Sequence, residues 1–375
     1  MKLQTLLDVM NTIAPRSLAA SWDNVGLLIG TPDDPIEGPV VLTIDLTPTV
    51  VDEAIEKSAS AVIAYHPPIF QPIAAISDAT PRSAALLRLI RSGAAVYSPH
   101  TALDASKNGM AEWLLRSCAP GEINSIRALE PHTPTARAFK IVTFVPSPHL
   151  DALRIAMSNA GAGIIGNYTH CSFSLDGTGT FLGNESTNPT IGQRGQLESV
   201  SEARLEMATP HHSVHNVVEA LRSAHPYEEP AFDLYPLEAA HDPELGSGRI
   251  GKLSTLATTE ELITSTHESL GVPVKAALAQ SQDAVYSIAV CPGAGSSLLN
   301  DAKRAGADAF ITGEMSHHDV LHATLDLNMH VLLAGHTNTE RPYLCELRKR
   351  LSESISGIDF EISESDRSPL AIRGI

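Results

Sequence analysis

Residues 60–70 read SAVIAYHPPIF. An apolar run of strand character stops at Tyr65 and His66 and meets Pro67 and Pro68 at once. Proline fixes its own φ and pushes the preceding residue out of the helical region. The run therefore predicts a buried strand that ends by presenting an imidazole on a stiff turn. The same grammar extends outward. VVLTIDL (40–46) precedes the helical PTVVDEAIEKSA (48–59), and PRSAALLRLIRSG (81–93) precedes AAVYS (94–98). The last third repeats it in 285–306, 307–328 and 330–353. Continuous apolar strands alternating with helices predict α/β architecture, with mixed sheets covered by helices on both faces.

Between these halves the texture changes. AFKIVTFVP (138–146), a helix at 148–163, polar strands such as HCSFSLDGTGTFLG (170–183), EARLEMATP (202–210), a second helix at 212–225 and PAFDLYPL (230–237) give a β-α-β-β-α-β order. That is the order of a ferredoxin-like unit. The expected organisation is an α/β core in two halves, residues 1–134 and 240–375, interrupted by a ferredoxin-like α+β insert over 137–238.

Composition narrows the function. The 375 residues carry a formal net charge of −17 and a basic run no longer than RKR (348–350), which argues against a nucleic-acid surface. The four cysteines form no C-x-x-C pair, so neither a disulfide framework nor a thiolate zinc site is expected, and a reducing cytoplasm fits. No run approaches the ~18 apolar residues of a membrane span.

In open α/β sheets ligands collect beyond the carboxyl ends of strands. After SAVIAY comes His66; after AAVYSP come His100 and Asp104; after DAFITG come Glu314, His317 and His318; after HVLLAG come His336 and Glu340. One histidine at a strand end is ordinarily a hydrogen-bonded structural residue. Four strands delivering histidine or carboxylate to one rim instead suit a borderline divalent cation such as Zn²⁺, Mn²⁺ or Fe²⁺. Thr337 or Thr339 is expected to cap a helix running through Pro342, which would set His336 and Glu340 on one helical face. Glycines and serines at 293–297 offer amides for a phosphate. His211, His215, His225, Glu228 and Glu229 form a second, weaker metal candidate. No G-x-x-x-x-G-K-[ST] occurs, and GSGRIG (246–251) reads as a turn entering a strand rather than a dinucleotide fingerprint.

Taken in order, SWDNVGLLIG (21–30), YHPPIF (65–70), HTALD (100–104), GSGRIGKL (246–253), CPGAGSSLL (291–299), ADAFITGEMSHHD (307–319) and GHTNTERPYL (335–344) resemble the Nif-three-like dinuclear metal proteins. These are also known as GTP cyclohydrolase I type 2 homologues. HPYEEPAFDLYP (225–236) is similar to the PII- and CutA-like insertion of some members. The resemblance implies His66, Asp104, His336 and Glu340 as metal ligands, with Glu340 bridging, and one or two divalent ions (Zn, Mn or Fe) per chain. It also implies Tyr65 where a ligating histidine is usual. A phenol with a pKa near 10 is a poorer ligand than imidazole, so one of the two ions loses a good donor.

The activity so implied is hydrolysis of GTP, in which water attacks C8 of the guanine ring and formate leaves. His100, His318 or Glu314 would move protons, and Arg341 or residues 293–297 would hold the triphosphate. The alternative is a non-catalytic metal-binding oligomer, typically a hexameric ring, whose PII-like insert binds a ligand or partner. A two-metal phosphoesterase is a third, minor option.

Overall fold

The structure, a computed structural model, describes residues 1–132, 138–238, 242–280 and 284–370. The chain divides into two compact units, Met1–Thr133 with His241–Ile375, and Pro134–Ala240. The boundaries expected at 134, 137 and 240 lie outside the described residues.

The first unit is α/β, built on two mixed sheets. One has the strand order Gly26–Ile29, Ala95–Ser98, Ala61–Ala64, Val40–Thr43 and Phe360–Ile362. All neighbours are parallel except Gly26–Ile29, which closes one edge antiparallel. Both faces are covered, as continuous apolar strands require. Leu42, Ile63 and Tyr97 pack with Leu3, Leu6, Met10, Leu347 and Leu351 on one side. Val41, Val62 and Val96 pack with Val50, Val51, Leu86 and Leu89 on the other. The covering helices start where their sequences direct. Thr47 and Thr80 accept from the amides of Val50 and Ser83, and Pro48 and Pro81 occupy the first turns.

The second sheet has the order Lys275–Ala277, His330–Leu333, Ala309–Glu314, Ala284–Ala294, Arg249–Thr258 and Ile123–Arg127, with the strands from 284, 309 and 330 parallel. Arg249 has no exposed surface and ties the turn before its strand to the segment after Asp104. Its guanidinium donates to the carbonyls of Gly246 and Gly248 and to those of Ala105 and Ser106 (2.6–3.0 Å). GSGRIG is thus a turn entering a strand, with Gly246 and Gly248 at positive φ.

The second unit is an antiparallel sheet in the order Phe232–Leu237, Ala138–Pro146, Leu197–Pro210, Phe173–Leu182, with the helices Leu150–Asn159 and Val214–Ala224. Ile141, Leu205 and Met207 meet Leu153, Met157, Val217 and Leu221 in its core. Phe144, Arg204 and Leu175, directly opposite one another, lie on the other face.

The chain's last strand is fastened by a buried acid. Glu53 accepts from Ser363 Oγ (2.5 Å) and from the amides of Glu364 and Ser365 (3.0 and 2.9 Å), with Lys57 Nζ at 3.1 Å. Burial opposes its charge, but these donors outweigh burial and hold the carboxyl at about 2 against an ordinary 4.5. A depressed carboxylate pKa stabilises the fold above the unfolded value, and that stability is lost as pH falls from 4.5 towards 2. Glu53→Gln is expected to lower the unfolding free energy at pH 7 by ~1–3 kcal/mol. It should also flatten the loss of stability on acidification, as urea titrations at pH 7 and pH 3 would show. Equal curves for the two proteins would contradict this account.

Candidate metal centre

His66 follows the strand Ala61–Ala64 directly. The amides of Tyr65 and His66 still donate to Thr43 O and Ile44 O, so ladder pairing with the neighbouring strand carries to the imidazole. His336 follows His330–Leu333 through Gly335, which takes a φ of +92°. The segment after it is a 3₁₀ turn, Thr337–Thr339, and the α-helix begins only at Tyr343. The expected single helix through Pro342 is therefore corrected to a short 3₁₀ turn and a separate α-helix, Tyr343–Ser354. The turn still folds Glu340 back onto His336, with Glu340 Oε1 3.3 Å from His336 Nε2. Glu340 Oε2 stands 3.6 Å from His66 Nε2. One ligand atom from each of His66, His336 and Glu340 lies within 4.8 Å of the others.

The second nitrogen of each imidazole is taken. His66 Nδ1 faces Asp45 Oδ1 at 3.0 Å, and His336 Nδ1 faces Glu314 Oε1 at 2.9 Å. An ionised carboxylate can only accept, so both Nδ1 atoms carry protons, and both Nε2 atoms turn towards Glu340, each available to an ion once it holds no proton. A carboxylate behind each histidine is the outer shell that metal-ligating imidazoles carry. Glu340 is 2 % exposed, and its Oε2 is buried without a hydrogen-bond partner. Space for the cluster depends on Gly293, where a Cβ would come 2.6 Å from Glu340 Oε1 and 3.0 Å from His336 Nε2. Two imidazoles, one carboxylate, an orphaned buried oxygen and a glycine-made recess fit a divalent cation.

The sequence model of the Duf34/NIF3 (NGG1p interacting factor 3) family matches residues 1–369. This chain belongs to that family. Among NIF3 relatives, the GTP cyclohydrolase 1 type 2 homolog of Halalkalibacterium halodurans is 39% identical, the match covering 96% of this chain and 94% of the relative. That of Bacillus subtilis is 34% identical over 98% and 97%. A Bacillus cereus protein related to NIF3 superposes with a TM-score of 0.69 at 32% identity, covering 100% of this chain and 99% of the other. Staphylococcus aureus protein SA1388 superposes with a TM-score of 0.82 at 25% identity and the same coverage.

Within this NIF3 fold, the other residues singled out from sequence are distributed unevenly. Asp104, on the short helix His100–Ala105, accepts from Tyr65 Oη at 2.7 Å, and the pair lies outside the three-residue cluster. Burial pushes the Asp104 carboxyl up to about 6 and the Tyr65 phenol well above its ordinary value. His100 stands edge-on to both Tyr65 and His66, with ring centroids 5.3 Å away in each case. Its Nδ1 faces Asp23 Oδ1 at 2.8 Å. Glu314 supports His336, as described. The ring of His318 packs edge-on against His317, and among the described residues it makes no hydrogen bond to the cluster. Arg341, expected to hold phosphate, is ion-paired with Asp366. The Gly293 amide donates to Thr339 Oγ1 at 2.9 Å. In the second unit His225 is structural, with Nε2 on Phe144 O and Nδ1 accepting from the Tyr227 amide. The histidine cluster expected there does not form among the described residues.

Two residues escaped the sequence reading. Asp45 ends VVLTID at a strand terminus just as the chosen histidines do, and that position was its available signal. Asp23 lies in SWDNVGLLIG, where nothing local marks it as a partner of the 100–104 segment. Asp23 accepts from Thr101 N and Oγ1, far along the chain, and also holds His100.

Burial opposes charge on His66, yet the Asp45 hydrogen bond and Glu340 outweigh it and raise the imidazole to about 10. In the metal-free protein the resulting stability is complete below the unfolded value near 6.5 and is lost as pH rises through about 10. Metal must therefore displace a proton from His66 at pH 7. Zinc titrations in buffers of different ionisation enthalpy are expected to show about one proton released per ion, and apparent affinity should climb with pH towards 10. Binding without proton release, at an affinity flat in pH, would contradict this.

Proposed function

We propose that this chain is a divalent-metal-dependent hydrolase acting on a nucleotide, with GTP as the substrate and formate as a product. The observation that carries the reading is the convergence of His66 Nε2, His336 Nε2 and the buried Glu340 carboxylate. An ion held there supplies Lewis acidity, polarising a substrate oxygen and lowering the pKa of water. Asp45 and Glu314 fix the two imidazoles. His100, with its Nδ1 proton on Asp23, keeps Nε2 as the acceptor for a proton, and the Asp23 carboxylate stabilises the imidazolium that forms. Trp22 is largely exposed beside His100 and Phe70, with ring centroids at 6.1 and 6.0 Å, and gives a purine base an aromatic face to stack on. GTP is the substrate suggested by the relatives' names.

A second reading is a metal-binding oligomer whose inserted unit, with its ferredoxin-like element order, takes a ligand. A cavity of about 940 Å³ favours it, lined on the second unit by Phe144, Gly179, Glu202, Arg204 and Tyr227. Phe173, Leu175, Leu182 and Leu197 are exposed on the same unit, which supports contact with further copies in a ring.

Formate release from GTP by protein loaded with Zn²⁺, Mn²⁺ or Fe²⁺ tests the first reading. The parent should release formate. Glu340→Gln should retain no more than ~1% of that rate, because it unpairs both imidazoles from their shared carboxylate. No release from the metal-loaded parent would eliminate GTP hydrolysis and leave the second reading.

A further inference from the structure

We propose that this chain holds one divalent ion, not two, and that Tyr65 is the residue that sets the number. The inference rests on the metal-centre reading above. Glu340 offers two carboxylate oxygens, each already facing one imidazole Nε2, and these three side chains complete one donor set. A second ion beside them needs further donors, and Asp104 is a carboxylate that feels the charge of both Glu340 and His66. That carboxylate is committed: Tyr65 Oη donates to Oδ1 at 2.7 Å.

The phenol is also fixed in place. Tyr65 is 3 % exposed, its carbonyl accepts from Ser98 Oγ at 2.8 Å, and its ring is wedged against His66 and His100 at centroid distances of 4.9 and 5.3 Å. The Asp104 carboxylate is thus covered by an aromatic side chain whose hydroxyl donates to it, and that hydroxyl turns its proton, not a lone pair, towards the oxygen an ion would need. Tyr65 and Asp104 form a closed donor–acceptor pair flanking the ion site.

The test counts ions. Metal-stripped protein is equilibrated with Zn²⁺, freed of excess by gel filtration and analysed for zinc per chain, and the Co²⁺ absorption spectrum is recorded in parallel. The parent is expected to retain one Zn²⁺. Asp104→Asn should retain one with an unchanged Co²⁺ spectrum, because Asp104 is not a ligand. Folded Tyr65→His, which places an imidazole beside a released Asp104, should retain two. Two ions on the parent, an altered Co²⁺ spectrum in Asp104→Asn, or one ion on folded Tyr65→His would each overturn the inference while leaving the metal centre standing. No retained ion on the parent would overturn the metal-centre reading itself. If Tyr65→His fails to fold, the parent stoichiometry and the Asp104→Asn spectrum decide.

Discussion

Glu340 carries a carboxylate at 2 % exposure, and burying such a charge is expensive unless other groups answer it. Much of the surrounding architecture does so. Two imidazoles face its oxygens, each imidazole is backed by a second acid, and each acid stands at or near a strand end. Asp45 follows Val40–Thr43, and Glu314 ends Ala309–Glu314. The parallel strands bring these ends to one rim, so the carboxylate is answered by residues from four separate stretches of sequence.

The same demand explains the local backbone. His336 and Glu340 come together through a tight 3₁₀ turn, stabilised by Thr339 Oγ1 donating to His336 O and accepting from the Gly293 amide. Gly293 runs at a φ of +65° and passes close enough that no side chain fits there. Gly313 is constrained in the same way, since a Cβ on it would meet Gly293 O and the His336 backbone at 2.6 Å. The glycines in this rim are consequences of how tightly the donor groups are gathered.

Much of this was legible in the sequence. Unbroken apolar runs announced buried parallel strands, and polar residues directly after them marked the rim, which is why His66, His336 and Glu340 stood out. Pairings across the rim were not legible. Nothing local shows that Glu314 reaches His336, 22 residues away. Asp45 likewise lies 21 residues from His66, so their pairing leaves no local trace. The helix expected to run through Pro342 does not start at Thr339, whose hydroxyl donates back to His336 O and accepts from the distant Gly293 amide, whereas an N-cap would accept from the turn that follows it.

The strand Phe360–Ile362 lies parallel to Val40–Thr43, and Asp366 Oδ2 accepts from the amide of Ile44 across 322 positions of chain. One edge of the first sheet is therefore supplied by residues far along the chain from its other strands. Until they emerge, the strand Val40–Thr43 presents unpaired backbone groups, and closing so long a loop costs entropy before the new contacts repay it. Completion of this sheet is thus tied to synthesis of residues 360–366. A C-terminal truncation before residue 360 would leave an open, aggregation-prone sheet edge rather than a shorter folded protein.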